Sequence, residues 1–85
     1  MKRNEIFNRI LRERSRQDRM HPETELSPAQ WAAVLAEETG EAVRELNAME
    51  WGEEGHTNEM LVNELVQTAA VAVRILECCG TEEKI

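Results

Sequence analysis

A chain of 85 residues with two Trp, one Phe and no Tyr has room for one small domain, and favours packed helices over a β-sandwich. Its net charge of −7 argues against a general nucleic-acid binder, although Lys2, Arg3, Arg9, Arg12, Arg14, Arg16 and Arg19 gather at the start and leave the rest strongly acidic. No stretch approaches the ~18 apolar residues of a membrane span, and the N-terminus is too polar for a secretory signal. Cys78 and Cys79 are adjacent and suit no structural bridge, so a reduced, cytoplasmic protein with no membrane partner is expected.

The first predicted helix covers about residues 2–19. Ile6, Phe7, Ile10 and Leu11 form a narrow apolar stripe, while Arg12 to Arg19 is polar and is expected to be held by a partner surface. This basic face could pair with the acidic body or hold a phosphate-bearing ligand. His21 to Leu26 breaks the pattern. The second helix, about 28–49, opens with Ser27 as N-cap, Pro28 at the first position and Gln30 completing a capping box. Its apolar positions are Trp31, Val34, Leu35, Ala42, Leu46 and Met49. Trp51 to His56 reads as a loop, Thr57 as the cap of a third helix over about 58–79, and Gly80 as its end, with a charged tail expected to fray. His21 and His56 fit no zinc spacing and read as loop residues. The third helix is apolar over more than half its circumference (Leu61, Val62, Leu65, Val66, Ala69, Val73, Leu76), so a helical bundle built with a second copy is expected, as homodimer or homotetramer.

Two acidic stretches conflict with this pattern. Acidic runs on helices are usually solvated faces, but at about 100° per residue Glu38 shares a sector with Trp31, Val34, Leu35, Ala42 and Met49. Glu41 and Glu45 fall on the edge of that sector, and Glu37 points further away. On the third helix Glu64 lines up with Met60 and Val71, away from the polar edge of Asn63, Arg74 and Glu77, with Gln67 on the same side. Residues three apart on a helix are neighbours, so two facing helices could aim Glu38, Glu41, Glu64 and Gln67 at one point. Carboxylates in apolar surroundings are costly unless paired or metal-bound. A hard cation such as Mg²⁺, which takes oxygen ligands, would resolve the conflict; arginines from the first helix are the alternative.

These residues resemble the signature of the MazG-like all-α nucleotide pyrophosphohydrolases: two glutamates, two residues, a third glutamate, then a later Glu-x-x-Asp. Glu37, Glu38 and Glu41 match the first part and Glu64 the second. Trp31 to Arg44, Asn63 to Glu77 and the basic Glu13 to Asp18 stretch look like the small, phage-type branch, so the likeness spans most of a single domain over residues 1–85. The resemblance implies hydrolysis of a nucleoside triphosphate to monophosphate and pyrophosphate, with Glu38, Glu41 and Glu64 holding Mg²⁺ (or Mn²⁺) and Glu37 orienting or deprotonating the attacking water. Arg12, Arg14 or Arg16 would contact phosphate, and Trp31 would lie in the core or stack on the base. Gln67 departs from the pattern: a neutral amide stands where the family has Asp, and an amide oxygen holds a hard cation more weakly. The rival reading is a non-catalytic helical module of the same fold that binds nucleotide or protein.

Overall fold

The computed structural model describes residues 1–23 and 25–80, and among these it has three helices and no strand: α1 (Arg3–Met20), α2 (Pro28–Trp51) and α3 (Asn58–Cys79). The expected caps form. Ser27 Oγ accepts from Gln30 N at 3.1 Å while Gln30 Oε1 accepts from Ser27 N at 2.8 Å, and Thr57 Oγ1 accepts from Met60 N at 3.1 Å. These bonds satisfy amides that the first turn of a helix leaves without partners. α2 runs through Trp51 and stops at Gly52, whose φ of 63° is the left-handed turn that glycine takes without a Cβ clash. Glu53 N then reaches back to the Ala48 carbonyl at 3.0 Å, closing the helix end. The charged tail expected to fray lies outside the described residues.

α3 is the central helix. It packs along both α2 and α1, whereas the backbones of α1 and α2 do not approach each other. The α2–α3 seam is closed by small residues: Ala42, Ala48 and Ala70 are buried along with Trp31, Leu61 and Val71. Alanines at a helix crossing let the backbones come close. The hydroxyl of Thr68 lies 2.8 Å from the carbonyl oxygen of Glu64 and 3.1 Å from that of Glu38, so its one hydrogen joins α3 to α2 beside the acids.

Packing sorts the polar and apolar faces in ways the helical pattern alone does not specify. The polar second half of α1 is taken up by α3 of its own chain. Arg14 and Gln17 are buried, Arg14 Nε donates to Glu77 Oε1 at 3.0 Å, and Arg14 Nη2 donates to Asp18 at 2.9 Å and also to Glu77. The apolar residues are the ones left outside: Ile6, Phe7 and Leu11 on α1, Leu46 and Met49 on α2, and Leu65 and Leu76 on α3 are exposed. Arg74, read as part of a polar edge, is buried. Its guanidinium carbon sits 5.3 Å from the centroid of the Trp31 ring, and its Nη2 donates to the carbonyls of His21 and Glu23, the latter at 2.7 Å. The α1–α2 connection is thereby tied down over α3 at His21 and Glu23, by bonds to a charged donor that exceed ordinary ones in strength.

Candidate metal centre

Glu38 and Glu41 face α3 from adjacent turns of α2, and Glu64 faces them from α3. One carboxylate oxygen of each lies within 4.8 Å of the others. Glu38 and Glu64 are half-buried and Glu41 is exposed, so the cluster opens to solvent on one side. Glu38 Oε2 and Glu64 Oε2 are enclosed and have no hydrogen-bond partner. Among the described residues, no arginine, lysine or histidine forms an ion pair with any of the three. The alternative of acids neutralised by arginines of α1 is therefore not what the side chains do. Arg16 comes nearest, and its charge reaches Glu38, but both of its hydrogen bonds, each 2.8 Å, go to Glu13.

The electrostatic consequence is visible in the carboxyl pKa values. Burial, reinforced by Glu41, Glu37 and Glu13 and only partly offset by Arg16, raises Glu38 above its ordinary value. Glu64 is pushed up to about 7, first by burial, then by its contact with Glu41 and by the charges of Glu41, Glu38 and Glu45. Crowded like charges with enclosed oxygens favour a shared proton or a bound cation. The donor set, all carboxylate oxygen, suits Mg²⁺ or Mn²⁺ better than the softer metals.

The other residues singled out in the sequence fall into place around this cluster. Glu37 is exposed beside Glu38, close enough for its charge to act on it. Gln67 is half-buried and joins Glu38, Val34, Val71 and Trp31 in lining a cavity of about 220 Å³, roofed by His21, Glu23 and Leu26 and bounded by Glu13, Arg16 and Gln17 of α1. All three helices thus meet at this cavity, which begins where the acids end. Arg16 lies on its wall. Arg12 is on an outer groove with Arg9, Arg16 and Arg19. Arg14 is brought to neither: two of its nitrogens are committed to Glu77 and Asp18, so it works as a fastener of α1 on α3. Trp31 is buried, with Arg74 over its ring, and belongs to the lining of the cavity.

Two residues escaped the sequence reading. Glu45 is buried, one turn past Glu41, and its carboxylate lies 3.0 and 3.1 Å from His56 Nδ1. The sequence placed Glu45 with Glu41 on the edge of the apolar sector, but gave no sign of its burial or of His56 as its partner. Gln17 is the other: a lone Gln within a basic helix gave no sign that it would be buried against Glu13 and the Gln67 carbonyl.

Comparison with protein families, with curated proteins and with solved structures gives no match. Function is argued from the site itself.

Proposed function

We propose that this protein is a Mg²⁺-dependent nucleotide pyrophosphohydrolase, splitting a (deoxy)nucleoside triphosphate into the monophosphate and pyrophosphate. The observation that carries the reading is the convergence of Glu38, Glu41 and Glu64 with two enclosed, unpartnered oxygens and, among the described residues, no ion pair to a cationic side chain. A fold that merely stabilised itself would pair these acids or replace them, as it pairs Glu45 with His56.

Glu38, Glu41 and Glu64 would hold the cation, and Gln67, which lines the same cavity as Glu38, would add a neutral amide oxygen. Bound there, Mg²⁺ would neutralise phosphate charge and polarise water. Glu37, exposed at the rim, is placed to orient a water molecule and to take its proton as the oxygen attacks phosphorus. Arg16, whose guanidinium is on the cavity wall next to Glu38, supplies positive charge for phosphate oxygens. The cavity beyond Glu38 would receive the nucleoside. Its small volume, below the ~300–1,000 Å³ of pockets that enclose a whole ligand, fits a part of the molecule, with the polyphosphate on the open side. Self-association is supported by the exposed apolar residues Ile6, Phe7, Leu11 and Leu65 on a chain too small to bury them alone.

The test is pyrophosphate release from a panel of common NTPs and dNTPs with Mg²⁺ and separately Mn²⁺, with Glu38→Ala as the blank. Release that vanishes in the variant is the expected result. Binding without release would move the assignment to a non-catalytic nucleotide module, a reading that the neutral Gln67 favours over its acidic counterpart.

A further inference from the structure

One flank of α1 carries Arg9, Arg12, Arg16 and Arg19, at spacings of three and four residues that stack them along one side of the helix. The row runs for about 15 Å. With Glu13 and with Asn63 of α3 it lines an open groove of about 320 Å³ between the two helices. Like charges at this spacing repel one another, so such a row weakens its helix unless something anionic lies against it.

The chain has acids in excess, with a net charge of −7, yet it places few of them here. Among the described residues Glu13 is the only acid in the groove lining, and its oxygens are already taken. They accept from Arg16 Nε and Nη2, each at 2.8 Å, and from Gln17 Nε2 at 3.2 Å. Arg9 lies between Glu5 and Glu59, at 3.8 and 3.5 Å. Arg12 and Arg19 are exposed and, among the described residues, form no ion pair. Arg16 gives Glu13 two of its nitrogens, which leaves Nη1 to donate elsewhere. The fork to Glu13 also fixes where Arg16 stands. Glu13 and Arg16 line both this groove and the cavity that leads to Glu38, so the arginine row begins at the edge of the acidic site.

We propose that the groove is a polyphosphate-binding site, which holds linked phosphates through Arg12, Arg16 and Arg19 without help from a cation. Guanidinium forks match phosphate oxygens, and the Asn63 amide on the facing wall adds a neutral donor. A single phosphate reaches one or two arginines of a row this long, whereas a chain of phosphates engages several. Continuity with the acids favours phosphate over an acidic peptide, because a cation on one side and arginines on the other suit the two ends of one polyphosphate. Assigning the groove to the end that leaves as pyrophosphate rests on the nucleotide reading; polyphosphate binding itself does not.

The experiment is calorimetry of inorganic tripolyphosphate and of orthophosphate in EDTA, where no divalent cation can carry phosphate to the acids. Both are titrated into the wild-type chain, into the double variant Arg12→Gln/Arg19→Gln, and into Glu64→Gln. Glutamine forms helix about as well as arginine and both arginines are exposed, so the double variant keeps its fold. Tripolyphosphate should bind the wild-type chain at least about tenfold more tightly than orthophosphate, and the double variant should lose at least about tenfold of that affinity. Added NaCl should weaken the binding, and Glu64→Gln should leave it in place. No binding of tripolyphosphate, equal binding of orthophosphate, or full affinity in the double variant overturns the proposal. Binding of a short oligothymidylate but not of tripolyphosphate would overturn it in favour of a nucleic-acid surface. Pyrophosphate release from nucleotides without tripolyphosphate binding would sink the groove and leave the hydrolase reading standing. Tripolyphosphate binding without any release would do the reverse.

Discussion

Glu45 and Glu64 lie close enough for one charge to act on the other, yet the fold treats them differently. Glu45 is buried on α2 and is met by His56, folded back from the turn that follows the helix. Glu64, on the facing helix, is met by further acids, Glu41 in contact and Glu38 alongside, and among the described residues by no cationic partner. The same two helices therefore contain a carboxylate that is paired and a group of carboxylates that is not. The paired acid holds structure together. The unpaired ones are held in a setting that disfavours their ionised form, and in the proposed reading they are the ligands of a cation.

The comparison sets the sign and size of what substitutions should do. The largest effect should fall on activity: Glu38→Ala or Glu41→Ala should lower pyrophosphate release at least ~100-fold, since even residues that only orient metal ligands cost 10–100-fold. Near-normal release would remove these acids from the site. Next in size is His56→Ala, which leaves the Glu45 carboxylate buried without its partner. It should cost about 1–3 kcal/mol in urea unfolding, and a neutral result would show that Glu45 finds water instead.

Glu64→Gln should act in the opposite direction. Because the Glu64 carboxyl is pushed up to about 7 in the folded chain from an ordinary 4.5, the unfolded chain releases its proton first as pH rises. Stability without divalent cation should then fall between about pH 4.5 and 7 and level off above that window. Glu64→Gln should flatten this slope and, at pH 8 without cation, stabilise the fold by on the order of 1–2 kcal/mol, discounted for partial exposure. A melting profile in which the variant is less stable at pH 8, or keeps the slope, would contradict the placement. Smaller still is Thr68→Val, which removes the hydroxyl shared between the Glu38 and Glu64 carbonyls and should cost about 0.5–1.5 kcal/mol. If it lowers release far more than stability, the helix spacing at the acids is itself tuned.

The unpaired half of this comparison was legible in the sequence. Glu38 and Glu64 each interrupt an apolar sector, and a helical wheel is enough to turn them inward towards a common seam. Helix ends were equally readable at Ser27 and Thr57, because capping is local chemistry. The paired half was not legible, since pairing is tertiary. His56 reaches Glu45 only because Gly52 turns the chain at positive φ and the loop folds back, and nothing near His56 announces that. Arg14, Gln17 and Arg74 look like surface residues by type, and they are buried because carboxylates and carbonyls of other elements receive them. On α1 it is Arg14 and Gln17 that are buried, while Phe7 and Leu11 of its apolar stripe stay outside.

The most direct measurement of the central claim is a Mg²⁺ titration of thermal stability at pH 8, run in parallel on the wild-type chain and on Glu64→Gln. If the acids form a cation site, the wild-type Tm should climb with Mg²⁺, by the equivalent of about 2.7 kcal/mol at a hundredfold excess over Kd. Glu64→Gln should start higher and stay nearly flat. A wild-type Tm that does not move, or an equal rise in both chains, would mean that the acidic cluster does not hold the cation.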